Sequence, residues 1–232
     1  MEDIRFLSAG DSALLLEFEN KISPEISRKV IDIMHLIDRQ HVEGIIEMIP
    51  AYRTLLIIFE PRVISAETIE KRVRDLKRQK PMHRQEGHKM LRIPVCYGGE
   101  YGPDLKAAAQ YTGLAEEEII RLHTEVPYRI YMIGFLPGFP YLGGLDSRLF
   151  VPRLENPRLK VPAGSVGIGG EQTGIYPMES PGGWNIIGRT PIRLFAPERE
   201  PAVLYEAGDT ICFYPVDEEE YERIRQKEEA AL

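Results

Sequence analysis

Between Gly134 and Pro191, twenty of 58 residues are glycine or proline, about twice their frequency in the whole chain. Proline removes a backbone donor and glycine weakens a helix, so a segment of this make-up cannot be built from helices. Its short apolar runs (VGIG, GIYP, WNIIG, PIRLF) are separated by turn residues at tight intervals. That pattern predicts a β-barrel or sandwich with long, shaped loops. Apolar and aromatic residues are too plentiful for disorder. Inside the segment, GFLPGFPYLGG at 134–144 sets four glycines and two prolines beside three aromatics. A phosphate cradle would call for the glycines without the rings, and an ordinary core for the rings without the glycines.

The chain before this segment reads differently. Strands are predicted at 3–8 and 13–18, with AGDSA as the turn between them. Ser23-Pro24-Glu25 opens a helix with a cap hydroxyl, a proline in the first turn and an acid near the positive end. Ile26, Val30, Ile33 and Ile37 supply its apolar stripe. Strands follow at 44–49 and 54–59. A second helix starts at Ser65, with Ile64 and Ile69 as a hydrophobic staple and Ile69, Val73 and Leu76 facing inward. The order ββαββα predicts a small α+β sandwich over residues 1–80. Residues 81–89, within the polar run RQKPMHRQEGHK, form the expected linker, and 90–232 a second domain. That domain is expected to begin with the strand LRIPVCY and two short helices, the first ended by Gly113. It then continues through YRIYMIGF to a closing strand DTICFYPV and a surface helix.

Charge and residue inventory exclude several functions. The net charge is −7, yet residues 1–89 hold fifteen basic and fifteen acidic side chains, so the whole excess lies in 90–232. Such a surface argues against a nucleic-acid partner. No apolar run approaches the ~20 residues of a membrane span, and MEDIRFLSAGDS has no basic-then-apolar signal pattern, so a cytoplasmic protein is expected. Cys96 and Cys212 are far apart and read as two free thiols. All five histidines and both cysteines lie outside 134–191, so no Ser-His-Asp triad, cysteine nucleophile or histidine-rich metal site is local to it. His123 is the one histidine placed to fold in, and a helix-face position is its simpler reading. GSVGIGG at 164–170 lacks both the Walker ending and the GxGxxG spacing, so its glycines are expected to serve hairpin turns and close backbone approach.

What remains are arginines, an amide and rings. In VPRLENPRLKVP prolines limit where Arg153 and Arg158 can reach, and a guanidinium suits bidentate grip on a carboxylate or phosphate. In SPGGWNIIGRTP the single tryptophan, Trp184, follows two glycines and precedes Asn185, with Arg189 five residues on. Regular alternation would put 185, 187 and 189 on one strand face.

These stretches, with GDSALLLEF, PAYRTLLIIF, IPVCYGGEYGPDL, GFLPGFPYLGG and PRLENPRLKVPAGSVGIGGEQTGIYP, resemble the bacterial family of 5-oxoprolinase B subunits. That family also contains the sporulation kinase A inhibitor and is similar to subunit 1 of the allophanate hydrolase and carboxyltransferase group. The resemblance runs from about residue 8 to about 215. It implies a small α/β N-terminal domain followed by a cyclophilin-like β-barrel. It further implies companion C and A subunits, and an ATP-driven opening of 5-oxo-L-proline to L-glutamate by the complex. Inhibition of a sensor histidine kinase, or a carboxyltransferase-like role on a urea-type substrate, are the alternatives. No lysine here sits in a Met-Lys-Met context, so biotin would come from another chain. On this basis Arg153, Arg158, Lys160, Gln172, Tyr176, Trp184, Asn185 and Arg189 are the candidate substrate-binding or interface residues. Phe135, Pro137, Phe139 and Tyr141 are expected to form a partner-facing loop. No metal ligand and no catalytic group is assigned.

Overall fold

The computed structural model describes residues 4–21, 23–76 and 89–230. The chain divides into two compact units, Met1–Gly87 and His88–Leu232. The expected linker at 81–89 lies outside the described residues apart from Lys89. The Lys89 backbone N–H donates to Asp209 Oδ1 at 2.8 Å.

The first unit follows its periodicities closely. Strands β1 (Arg5–Ser8), β2 (Ala13–Glu17), β3 (Ile45–Pro50) and β4 (Thr54–Phe59) form an antiparallel sheet in the order β1-β2-β4-β3. Helices α1 (Pro24–Asp38) and α2 (Ala66–Leu76) supply the other layer. Alternate residues of β2 and β4 turn inward, so Leu14, Leu16, Leu55, Ile57 and Phe59 meet Ile26, Val30, Ile33 and Ile37 of α1 and Ile69, Val73 and Leu76 of α2. Each such side chain taken fully out of water contributes about 1.5–3 kcal/mol. Ser23 caps α1 by accepting from the Ile26 N–H at 3.2 Å, worth about 1 kcal/mol.

In the second unit, β5 (Met90–Tyr97), α3 (Leu105–Thr112) and α4 (Glu116–Glu125) come first, with Gly113 ending α3 at φ +72°. Next are β6 (Tyr128–Ile133), β7 (Pro140–Gly143), β8 (Arg158–Val161), β9 (Ser165–Gly169) and β10 (Gln172–Ile175). The chain closes with β11 (Ser180–Gly182), β12 (Asn185–Arg189), β13 (Thr210–Pro215) and α5 (Glu218–Ala230). Seven strands make a closed barrel in the order β10-β7-β6-β13-β5-β12-β9, while β8 and β11 pair as a separate ribbon. The fold is therefore α+β with a C-terminal barrel. Its core holds Val95, Ile130, Val166, Ile168, Ile175, Ile187 and Ile211, joined by Leu105, Ile119 and Leu122 of α3 and α4. GSVGIGG is strand β9 and the start of its hairpin to β10, in which Gly170 takes φ +65°. Among the described residues no helix is long and apolar enough to cross a membrane.

Candidate functional site

GFLPGFPYLGG is half loop and half strand. The Gly134 N–H donates to the Phe139 carbonyl, the Phe139 N–H to the Leu136 carbonyl and the Leu136 N–H to the Gly134 carbonyl, at 3.1, 3.0 and 2.7 Å. The loop is thereby closed on itself, and the Tyr205 hydroxyl donates to the Gly138 carbonyl at 2.6 Å to pin it down. The bond spanning Gly134 and Leu136 encloses Phe135 at φ +65°, a γ-turn of the rare positive-φ kind. A bulky residue held there stores of order 1–3 kcal/mol of strain, and Phe135 nevertheless projects its ring into solvent at 62% exposure.

Behind that loop sits a compact nest of rings. Phe139 is 1% exposed and takes edge-to-face contacts with Trp184 (5.4 Å, 81°), Tyr176 (5.2 Å, 82°) and Phe135 (5.6 Å, 88°). Tyr141 tilts against it at 4.9 Å. Such ring pairs add about 0.5–1.5 kcal/mol beyond their burial. The glycines are what let the rings in. A Cβ on Gly169 would lie 2.5 Å from Trp184 Cδ1, and one on Gly182 would lie 2.5 Å from the Tyr176 hydroxyl oxygen. Glycine and aromatic residues thus form one device, with bare backbone as the bed and the rings lying on it. Trp184 is 4% exposed, set into this bed rather than at a loop edge.

The nest opens into a cleft of about 280 Å³ lined by Phe135, Phe139, Tyr141, Tyr176, Trp184 and Arg153, with Pro157, Pro181, Gly182 and Gly183. The Arg153 guanidinium lies 5.8 Å from the Trp184 ring centre. Two bonds bracket its backbone: Asn185 Nδ2 donates to the Pro152 carbonyl at 2.8 Å, and the Leu154 N–H donates to the Gly183 carbonyl at 2.8 Å. Burial raises the pKa of Tyr141 and of Tyr176, with the Arg153 charge partly offsetting the shift, so both phenols stay protonated at neutral pH.

The other predicted residues are placed elsewhere. Arg158 Nη2 donates to Asp104 Oδ1 at 2.6 Å, and Asp104 Oδ2 accepts the Ile186 N–H at 2.7 Å. Arg158 is accordingly a strut between β8 and the α3 end of the barrel. Lys160 pairs with Glu179 at 3.2 Å on the surface, a contact worth little. Gln172 is half-buried at the start of β10, opposite Gly169. Pro137 is exposed on the loop. Asn185 is 8% exposed and spends its amide on the Pro152 and Ile168 carbonyls. The expected alternation of 185, 187 and 189 is broken, because β12 shifts register between Ile186 and Gly188. Gly188 permits the shift, since a Cβ there would sit 2.6 Å from Val95 Cγ1. As a result Arg189 lies over Tyr101 at 5.8 Å, on the side where Tyr101 packs on Tyr221 of α5, and not among the cleft lining.

A polar chain inside the barrel escaped the sequence reading. His123 lies on the inward face of α4 as its helical position suggests, but fully buried and bonded, with Nδ1 2.8 Å from the Tyr97 hydroxyl and Nε2 2.9 Å from Thr173 Oγ1. Thr173 Oγ1 gives its proton to the Gly167 carbonyl at 3.0 Å. Nε2 must therefore carry hydrogen, and Tyr97 donates to Nδ1. Burial holds the His123 pKa down at about 3, so the imidazole is neutral. The only hint of it in the sequence was a histidine in an apolar helical stripe, beside Ile119 and Leu122.

Comparison with known proteins agrees with this architecture. Residues 4–205 match the family described as carboxyltransferase domain, subdomain C and D. The 5-oxoprolinase B subunit of Bacillus subtilis is 39% identical over 228 residues, covering 94% of this chain and 95% of that protein. A urea amidolyase of Lachancea kluyveri is 27% identical over 257 residues, covering 96% of this chain but 14% of that protein. The crystal structure of the Kluyveromyces lactis urea amidolyase superposes with a TM-score of 0.77 at 23% identity, over 97% of this chain and 15% of that one, a likeness of fold. By its match over residues 4–205 and its near-full-length identity to the Bacillus subtilis protein, the chain belongs to the family of 5-oxoprolinase B subunits, within the carboxyltransferase subdomain C and D group.

Proposed function

We propose that this chain is a non-autonomous subunit of an ATP-dependent 5-oxoprolinase, working with A and C subunits to open 5-oxo-L-proline to L-glutamate. The supporting observation is the chemistry of the cleft. Its lining holds one guanidinium, Arg153, and two phenols, Tyr141 and Tyr176, whose pKa values burial raises. Opening a lactam requires proton transfer and an activated carbonyl, and among the described residues the cleft lining holds no histidine, carboxylate, lysine or cysteine for that work. The groups present can hold and orient a ligand and keep water away. This supports a reading in which partner chains carry the reacting groups and the ATP, and a cleft of about 280 Å³ suits a small ring better than a nucleoside triphosphate.

The test is reconstitution. The purified chain with ATP and 5-oxoproline should form no glutamate, and addition of the A and C subunits should start turnover. Glutamate formation by the chain alone would overturn the reading. A second reading, carboxyl transfer to a urea-type acceptor, is favoured by the family description and by the urea amidolyase similarity. It predicts activity dependent on a biotinylated partner and abolished by avidin, whereas the lactamase reading predicts indifference to avidin.

A further inference from the structure

Arg153 is the arginine that lines the aromatic cleft, and like Arg92 over Tyr214 it lies against a ring. Arg121, Arg148, Arg158, Arg193, Arg223 and Arg225 are each paired with a carboxylate. Arg153 has no ion pair and no hydrogen bond from its guanidinium among the described residues. Yet its backbone is held on both sides, through Pro152 to Asn185 and through Leu154 to Gly183, the two residues that flank Trp184. A guanidinium against an aromatic face, on a backbone held at both neighbouring residues and without an ion pair, is available to an anion.

We infer that the cleft binds a small ring carrying a single carboxylate, with the carboxylate on the Arg153 fork and the ring against Trp184, Tyr176 and Phe135. Among the described residues no acidic side chain lines the cleft to repel such a ligand. A single guanidinium matches one carboxylate, whereas a dianionic phosphate would draw on further cations or a run of backbone N–H groups. Asn185 acts as a positioning residue, since its amide reaches the Pro152 carbonyl and not the cleft. The choice of a lactam as the ring rests on the 5-oxoprolinase reading, and the carboxylate requirement rests on Arg153 itself.

Trp184 is the only tryptophan in the chain, so intrinsic fluorescence reports on this cleft directly. Full-length chain is titrated with 5-oxo-L-proline, with 2-pyrrolidinone as the same lactam lacking the carboxylate, and with inorganic phosphate, with calorimetry run in parallel. Saturable binding of 5-oxo-L-proline is expected, with 2-pyrrolidinone at least about ten-fold weaker and phosphate weaker still. Arg153→Gln should lower affinity for 5-oxo-L-proline about ten-fold or more at unchanged melting temperature, and Arg153→Lys should recover part of it. Asn185→Ala should weaken binding without altering the preference for the carboxylate. Equal binding of the two lactams, wild-type affinity in Arg153→Gln, equal binding of phosphate, or neither fluorescence change nor heat in the wild type would each overturn the assignment. So would an Arg153→Gln variant that fails only to assemble with partners, which would make the anion a partner's carboxylate. Turnover in the assembled complex separates the two claims. A complex that turns over with Arg153→Gln at the wild-type rate sinks the cleft and spares the 5-oxoprolinase reading, while carboxylate-selective binding beside a complex inert toward 5-oxoproline does the reverse.

Discussion

The Trp184 cleft and the Tyr97–His123–Thr173 chain are both made of rings and polar atoms within one barrel unit, and they differ in how their hydrogen-bonding capacity is used. In the chain every polar atom has a partner, from the Tyr97 hydroxyl through both imidazole nitrogens to the Gly167 carbonyl. His123 is stacked on Phe213 at 4.7 Å with no exposed surface. In the cleft the charged group, Arg153, lies against the Trp184 ring on a backbone held at both neighbouring residues, with no ion pair or guanidinium hydrogen bond among the described residues. A satisfied buried network specifies a core, whereas an ordered, unsatisfied group at an opening awaits something from outside. The contrast can be broken by experiment at four points.

Trp184→Ala carries the largest expected effect because the indole is both wall and core. It should lose about 3–5 kcal/mol of stability in urea unfolding, since Phe139, Tyr141 and Tyr176 all rest on it. A loss under about 1 kcal/mol would mean that the nest of rings is a surface feature rather than a small core of its own.

His123→Gln is next. It leaves the Tyr97 hydroxyl or Thr173 short of a partner in a dry site, at a cost of about 1–3 kcal/mol. The pH dependence is the sharper reading. The folded imidazole has its pKa depressed to about 3 against about 6.5 unfolded. Between these values the unfolded chain binds the extra proton, so the wild type should lose stability as pH falls from about 6.5, by up to about 1.4 kcal/mol per pH unit. His123→Gln should flatten that part of the curve. Ligand binding in the cleft should be unaffected, and a loss of binding would join the two regions functionally.

The two units also differ in how far the chain could be read. In the first, local period and packing agree: Val30 and Ile57 are buried because helix and strand repeat each turn one face inward, so pattern alone located every element. In the barrel, the turn residues located the strands, but what each side chain meets depends on closure. Asp104 could not be matched to Arg158, nor Thr173 to His123, because fifty or more residues separate the partners and no local signal links them. The register shift at Gly188 is likewise a tertiary effect, and it is what separates Arg189 from Asn185. Six of the predicted site residues, Phe135, Phe139, Tyr141, Arg153, Tyr176 and Trp184, do line one cleft.

Phe135→Gly tests whether strain in the loop serves binding. Loss of an exposed phenyl contact should destabilise slightly, and release from φ +65° should stabilise by about 1–2 kcal/mol. The melting temperature should hold or rise while affinity in the cleft falls, because the ring closes one side of it. A variant that binds normally would make the turn a structural accident.

Arg189→Lys should have the smallest effect and bears on the boundary of the site. Arg189 lies over Tyr101, close to Tyr221 of α5, where burial raises the Tyr221 pKa and the Arg189 charge partly offsets it. A lysine keeps the charge but loses the planar guanidinium that stacks on the ring. The expected cost is about 0.5–1 kcal/mol of stability, with cleft binding by Trp184 fluorescence unchanged. If the lysine variant instead weakened 5-oxo-L-proline binding as much as Arg153→Gln, the ligand site would have to extend from the ring nest along β12 to the α5 side of the barrel. The single-anchor description of the cleft would then be wrong.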